Sequence, residues 1–164
     1  MTIRDEAIRS VLKWEGGETN DPHDPGKLTK WGISSRWNPS INMATLTKEQ
    51  AYDFYVDKWN SGPYGDIAHP RTAAKLFLAA VLHGPGDAYR CLQRAVRSAS
   101  ALGVTLRIDG RIGPKSIGAV NDCRDEILVA ALKSEVAATC RIKATVKPAK
   151  QRYLNGWLNR AYYG

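Results

Sequence analysis

One stretch near the amino terminus carries most of the functional information of this chain: Trp14-Glu15-Gly16-Gly17-Glu18-Thr19-Asn20-Asp21-Pro22-His23-Asp24-Pro25-Gly26-Lys27-Leu28-Thr29-Lys30-Trp31-Gly32-Ile33. It sets carboxylates and a threonine between tryptophans, with glycine and proline punctuating the connection. Such a pattern predicts polar side chains held against apolar rings by a stiff loop. That combination is typical of a ligand site, where a few polar groups are fixed among aromatic ones.

An amphipathic helix is predicted immediately before the stretch. Its apolar positions recur at helical spacing at Ile3, Ala7, Ile8, Val11 and Leu12. Thr2, followed three residues later by Asp5, resembles a weak capping box, so the helix is predicted over residues 3–14. Gly16 and Gly17 end it, because glycine adopts the positive φ of a helix C-cap, which leaves Glu15 at the last turn.

The residues after the glycines predict a rigid loop and then a short strand. Asp21-Pro22 and Asp24-Pro25-Gly26 are turn sequences, because proline fixes φ and Asp and Gly favour turns. Residues 29–33 alternate sufficiently to predict a strand.

Two carboxyl groups on opposite sides of such a loop are the catalytic groups that cleavage of a glycosidic bond requires. One is protonated and supplies a proton, and the other is ionised and positions water. Glu15 lies next to Trp14 at the edge of an apolar helix face, so burial is expected to raise its pKa. Asp24 lies in a polar turn and is expected to stay ionised. Taken singly, a solvated glutamate and an ordinary Asp-Pro-Gly turn explain the two residues better than catalysis does.

The whole string resembles the signature of glycoside hydrolase family 108. The matching blocks are Glu15-Gly16-Gly17, Asn20-Asp21-Pro22, Asp24-Pro25-Gly26, Thr29 and Gly32-Ile33. The resemblance implies bacteriophage endolysins and related bacterial N-acetylmuramidases, with Glu15 in the place of the catalytic glutamate. The spacing is also similar to the Glu-Asp-Thr arrangement of phage lysozymes, which here falls on Glu15, Asp24 and Thr29.

Four residues are candidates for binding substrate: Asn20, Trp31, Trp59 and Tyr64. Asn20 belongs to the matching signature and Trp31 lies near the end of the stretch quoted above. Trp59 and Tyr64 fall at a predicted helix end and in the following turn, where a ring is able to stack on a sugar. A purely structural role explains these last two rings equally well, so neither ranks above Trp31.

The rest of the chain predicts further helices over residues 71–82, 87–101 and 127–146, with a docked carboxyl-terminal helix. Residues 103–112 predict a short hairpin-like excursion, and the string Asp109-Gly110-Arg111-Ile112-Gly113-Pro114 resembles blocks of peptidoglycan-binding modules. The predicted fold is therefore mainly α (α+β, lysozyme-like) and two-lobed, with a small β or loop excursion after the first helix. Residues 1–90 are assigned to a catalytic lobe and residues 91–164 to a basic, peptidoglycan-binding-like lobe packed against it as one compact unit.

The positive charge is confined to the second half of the 164 residues. Residues 1–89 hold 10 Lys and Arg against 11 Asp and Glu, whereas residues 90–164 hold 14 against 5. Clustered cations concentrate polyanions, here anionic lipopolysaccharide or a wall polymer, although a solvated basic surface without a specific partner is an equal alternative. No nucleic-acid recognition motif is present, so specific nucleic-acid binding is not expected.

Cysteine usage and hydropathy exclude several other classes. Cys91, Cys123 and Cys140 fit no metal spacing and are odd in number, so reduced core thiols are expected and no metal site. The most hydrophobic segment, residues 76–82, is much shorter than a membrane-spanning helix. The first residues lack the pattern of a signal peptide, so we expect synthesis in the cytoplasm. The resemblance implies a bacterial host and action on the wall after release.

These observations predict a peptidoglycan hydrolase that cuts the β-1,4 bond between N-acetylmuramic acid and N-acetylglucosamine during host cell lysis. Glu15 acts as the acid and Asp24 with Thr29 holds the water, in an inverting reaction by a monomer without a cofactor. Two alternatives stay open at this point. One is a lytic transglycosylase, which needs a single acid, and the other is a non-catalytic wall-binding or secretion-assisting protein.

Overall fold

The computed structural model describes residues 1–19, 28–100, 103 and 105–163. The chain divides into two compact units, Met1–Ser61 and Gly62–Gly164. This division falls earlier in the sequence than the boundary at residues 90 and 91, and the assignment of a catalytic and a binding function to the two segments stays a prediction.

The first unit contains two helices and three short strands. In chain order these are α1 (Ile3–Trp14), β1 (Glu18–Thr19), β2 (Thr29–Lys30), β3 (Ile33–Ser34) and α2 (Lys48–Asn60). The predicted first helix is confirmed, together with its cap. The Thr2 hydroxyl accepts a hydrogen bond from the Asp5 N–H at 3.2 Å, and the Asp5 carboxylate accepts one from the Thr2 N–H at 3.1 Å. This reciprocal arrangement satisfies two backbone donors that a helix start leaves without partners.

The strands form a small antiparallel sheet in the order β1-β2-β3. Lys30 pairs with Ile33, so only Trp31 and Gly32 connect β2 to β3, and both have positive φ, at 54° and 77°. Positive φ at both central residues is the requirement of a type I′ hairpin turn, whose twist matches that of the strands. The single strand predicted over residues 29–33 is therefore wrong in its extent, because a tight turn splits it.

Helix α2 begins with a second capping box, which confirms the prediction for Thr47 and Gln50. The helix packs on α1, and the shared interior is formed by apolar side chains that are almost fully buried: Ala7, Ile8, Val11, Leu12, Ala51 and Tyr55. A hydrogen bond of 2.8 Å from the Tyr52 hydroxyl to the Asp5 carboxylate also joins the two helices.

The second unit is helical. Its helices are α3 (Pro70–His83), α4 (Pro85–Ala99), α5 (Pro114–Asn121), α6 (Asp125–Val146) and α7 (Leu154–Tyr162), with 3₁₀ segments at Pro63–Asp66 and Pro148–Tyr153. The long helix α6 contacts α3, α4 and α7. Leu128 and Leu132 are fully buried there, and burying each contributes about 1.5–3 kcal/mol. The predicted mainly helical fold, with a small sheet after the first helix, is confirmed.

The predicted excursion over residues 103–112 contains no strand in its described part. The Gln93 side chain takes the place of a pairing strand. Its amide nitrogen donates to Asp109 and to the Arg111 carbonyl, and its oxygen accepts from the Gly110 N–H, each at 2.9 Å. Because these groups are satisfied by a buried side chain, the segment needs no hairpin partner.

The carboxyl-terminal helix α7 docks within the second unit, as predicted. Lys75 of α3 is 3% exposed, and its amino group donates to the carbonyls of Arg160 and Tyr163, both at 2.7 Å. These carbonyls lie at the end of α7, where unpaired acceptors favour a cation. Burial opposes the charge and, with help from Lys133, lowers the pKa of Lys75 to about 7.

The three cysteines are free and buried, as expected for core thiols. The part of the chain that the structure describes holds no group of three or more His, Cys, Asp and Glu residues able to bind a metal. Among those same residues, no helix has both the length and the apolar character that crossing a membrane requires.

Candidate active site

Glu15 is the C-cap residue of α1, and its side chain is half-buried. Its N–H donates to the Val11 carbonyl at 2.8 Å, so the residue is fixed to the last turn of the helix. The apolar face of α1 borders Glu15 on one side. The glycines that follow allow the chain to turn away from the helix. The sequence pattern thus places a carboxylate at an edge between core and solvent.

The Trp31-Gly32 turn returns the chain to Glu15. The Trp31 N–H donates to the Gly17 carbonyl at 3.2 Å, which closes the sheet next to the end of α1. A methyl group placed on Gly32 would lie 2.8 Å from Glu15 Cβ and 2.7 Å from Tyr55 Oη. The backbone of Gly32 is therefore in direct contact with the glutamate, at a distance that only a residue without a side chain allows.

Tyr55 of α2 completes this contact from the other side. Its hydroxyl donates to the Trp31 carbonyl at 3.0 Å, and its ring is buried. Burial, and secondarily the charge of Glu15, raises the pKa of Tyr55 well above its usual range. Tyr55 therefore remains a neutral hydrogen-bond donor near the glutamate at any physiological pH.

Trp31 adopts the left-handed conformation that side chains other than glycine rarely adopt, at a cost of about 1–3 kcal/mol. The hydrogen bond from Tyr55 offsets part of that cost. The Lys48 amino group lies 5.9 Å from the indole centroid, and a methyl group on Gly16 would lie 3.6 Å from Trp31 Cζ3. The indole N–H is buried without an acceptor in the described part of the chain.

Of the other two predicted catalytic residues, Thr29 lies within the described part of the chain and Asp24 does not. Thr29 lies on β2, opposite Thr19 of β1 and Ser34 of β3, two residues before Trp31. Asp24 and Asn20 lie outside the described residues, so the predicted pairing of Glu15 with Asp24 stays a prediction. The structure thus brings Trp31 next to the end of α1 and places Thr29 in the strand that leads to it.

The two remaining rings are buried in their own units. Trp59 is 6% exposed in the first unit and Tyr64 is 4% exposed in the second. Tyr64 packs edge-on against Phe77 with a centroid separation of 5.1 Å, and its hydroxyl lies 3.5 Å from that of Tyr89. Burial favours the structural alternative for both rings, and their role in substrate binding stays a prediction.

Sequence reasoning did not single out Gly32 and Tyr55 as site residues. The sequence does contain a pattern that points to Gly32, because a two-residue connection that ends in glycine between two short strands is typical of a type I′ turn. No such pattern points to Tyr55, since a tyrosine on the apolar face of a helix is predicted to be a core residue. Only the tertiary fold brings it to Trp31.

Two family profiles match the chain in succession. The profile described as "Glycosyl hydrolase 108" matches residues 8–84, and the one described as "Predicted Peptidoglycan domain" matches residues 87–162. Residues 8–84 are a glycosyl hydrolase 108 domain. The match contains α1 from Ile8 onward, the sheet and α2, and therefore every described residue around Glu15.

The fold of this chain is similar to a solved structure of SagA from Brucella abortus. The two chains are 25% identical, with a TM-score of 0.71 over 96% of this chain and 92% of that chain. No curated protein matches the sequence. The two profiles together identify a glycoside hydrolase that acts on peptidoglycan.

We predict that Gly32→Ala separates stability from activity. The methyl group would collide with Glu15 and Tyr55, so the carboxylate must move, and a displacement of about 1 Å is able to reduce turnover roughly 10²-fold. The strained positive φ adds a stability loss of about 1 kcal/mol. Peptidoglycan clearing and thermal unfolding measure the two effects.

Gly17→Ala is the matched control. Gly17 also has positive φ, at 112°, but a methyl group there would meet nothing within 4 Å. Both variants should lose stability, and only Gly32→Ala should lose most of its activity. Equal activities in the two folded variants would contradict the role given to the Gly32 contact.

Proposed function

We propose that this protein is an N-acetylmuramidase that hydrolyses the β-1,4 bond between N-acetylmuramic acid and N-acetylglucosamine. The observation that carries the proposal is the half-buried Glu15, fixed at the end of α1 and enclosed by Gly32 and Tyr55. A carboxyl group in such a partly desolvated position suits proton donation to a leaving oxygen.

In the proposed reaction Glu15 gives its proton to the glycosidic oxygen as the bond from that oxygen to the anomeric carbon breaks. A water molecule attacks the anomeric carbon from the opposite face and loses a proton to Asp24. Thr29 helps to orient that water. The anomeric configuration inverts, and the carboxyl groups of an inverting enzyme are separated by about 6.5–9.5 Å, which leaves room for the water.

The sheet supports the assignment of Asp24 and Thr29. Residues 20–27 join β1 to β2, and the opposite end of that strand pair adjoins Glu15 through the hydrogen bond from Trp31 to Gly17. Thr29 begins β2 and follows Asp24 by five positions in the sequence. Thr29 therefore belongs to the sheet that adjoins Glu15, and Asp24 lies between β1 and β2 in the sequence.

Substrate contacts are proposed at Trp31 and Asn20. The half-buried Trp31 indole presents a ring beside the end of α1, which suits stacking on the apolar face of an amino sugar. Asn20 follows β1 directly in the sequence and offers both a donor and an acceptor.

The decisive test is clearing of purified peptidoglycan by the native chain and by Glu15→Gln. Removing the acid should reduce activity by about 10²–10⁴-fold, the usual contribution of general acid catalysis, with the fold retained by circular dichroism. In water enriched in ¹⁸O, each native product should carry one heavy oxygen at its new reducing end.

Glu6→Gln is the matched control for that experiment, because Glu6 is an exposed carboxylate on the same helix. It should clear wall like the native chain. Full activity in Glu15→Gln would refute the assignment. Anhydro products without heavy oxygen would favour the alternative of a lytic transglycosylase, and binding without any cleavage would favour a wall-binding protein.

We also propose that the protein lyses bacteria from within, as the resemblance to phage endolysins implies. A bacterium that produces the chain should lyse when a pore-forming membrane protein is produced with it, because the enzyme then reaches the wall. Turbidity measures the outcome. Lysis that is equally fast with Glu15→Gln would indicate that the pore alone is responsible.

The carboxyl-terminal residues support a further, electrostatic part of the proposal. Residues 136–164 contain six Lys and Arg and no Asp or Glu. Several of these cations are exposed, and exposed apolar side chains accompany them at Ile142, which is 62% exposed, and Val146, which is 71% exposed. Such a surface suits anionic lipopolysaccharide or a wall polymer.

Activity on cells that bear an outer membrane should therefore fall more steeply with salt than activity on purified wall. The Debye length shrinks from about 10 Å at 0.1 M to about 3 Å at 1 M, which weakens attraction between exposed charges. Replacing Lys147 and Arg152 by Gln should reproduce the loss at low salt, whereas replacing Lys58 and Arg36 of the first unit should not. Equal salt sensitivity on both substrates would contradict the proposal.

A further inference from the structure

A groove lies between α1 and the first turns of α2, beside the candidate active site. It has a volume of about 470 Å³ and is lined by Arg9, Leu12, Lys48, Glu49, Tyr52 and Asp53. Two cations and two carboxylates thus share one concave surface with an aromatic ring. None of these residues has a role in the proposed bond cleavage.

The aromatic wall of the groove is held in place. The Tyr52 hydroxyl donates to Asp5 at 2.8 Å, and Asp5 also accepts from the Thr2 N–H. These donors lower the pKa of Asp5 well below its usual range, so the carboxylate stays ionised and keeps its partners. The ring is therefore positioned by the same carboxylate that caps α1.

The groove is close to the acid. Leu12 precedes Glu15 by three residues on α1, which is a rise of about 4.5 Å along the helix axis. Lys48 joins the groove to Trp31, because its amino group lies 5.9 Å from that ring, and Trp31 approaches the backbone of Gly16. A glycan bound over Trp31 would have its substituents within reach of the groove.

We propose that this groove binds the stem peptide attached to N-acetylmuramic acid. The inference rests on the proposed function. A stem peptide carries free carboxylates and the amine of a diamino acid, and these match Arg9 and Lys48 on one side and Glu49 and Asp53 on the other. The sugars of a glycan strand are uncharged and offer no ionic partner for these four charged side chains. A zwitterionic peptide offers partners for both the cations and the carboxylates.

The neighbouring surface of α2 does not share this property. A second groove of about 480 Å³ includes Asp53, Asp57, Asn42 and Phe54, and no Lys or Arg is among its lining residues. It therefore lacks the partner for a peptide carboxylate. The mixed charge of the first groove also disfavours a divalent cation, which needs several oxygen ligands without competing cations.

The test compares intact peptidoglycan with the same material after an amidase has removed the stem peptides. The native chain should show a kcat/KM about tenfold higher on the peptide-bearing substrate, the effect of about 1.4 kcal/mol of binding. In the double variant Arg9→Gln with Lys48→Gln, this ratio should fall below about twofold. The free stem peptide should bind the native chain in calorimetry and fail to bind the double variant.

The control is the double variant Arg36→Gln with Lys58→Gln, which removes an arginine and a lysine that lie over the rings of Trp37 and Phe54. It makes the same change of charge in the same unit and should keep the native ratio. A native chain that cleaves both substrates equally, or a control that loses the ratio as well, would overturn the inference. A native chain that cleaves neither substrate would instead refute the proposed function, and peptide binding in calorimetry would still report on the groove.

Discussion

The close approach of the Gly32 backbone to the Glu15 side chain is the contact on which the first unit depends. It requires α1 to end at Glu15, the sheet to turn within two residues, and Tyr55 to reach the turn from α2. Each condition is met by a different part of the sequence. The carboxylate is therefore held by three elements whose positions are mutually fixed, which is the arrangement that a pre-organised acid requires.

The two halves of the chain differ in charge, and the proposed functions use that difference. The first has nearly balanced charge and contains the acid and the mixed-charge groove, while the second is strongly basic and helical. Chemistry at a glycosidic bond depends on local geometry, whereas attraction to an anionic polymer depends on summed charge. A single surface would have to compromise between them, because a dense positive field beside Glu15 would favour its ionised form.

Local rules predicted much of the fold. Both capping boxes, the end of α1 at the double glycine and the docking of the last helix follow from short-range patterns, and the structure confirms them. Glu15 was predicted to be the acid because its string of neighbours is specific, and that role stays a prediction. The contact with Tyr55 was not predictable, since it joins residues 24 positions apart through packing that periodicity does not encode. The predicted hairpin-like excursion after Gly103 was wrong for a similar reason, because the side chain of the buried Gln93 makes the hydrogen bonds that a partner strand would make.

One carboxylate, that of Asp5, serves three donors: the Thr2 N–H, the Tyr52 hydroxyl and, at 3.4 Å, the Arg4 guanidinium. The start of α1 and the wall of the groove therefore cannot change independently. A neutral residue at position 5 would weaken the helix cap and free the ring at once, so the energetic effects of changes at Asp5 and Tyr52 are coupled. In evolutionary terms, the two positions form a pair that is expected to vary together among relatives that keep the groove, and to drift apart in those that have lost it.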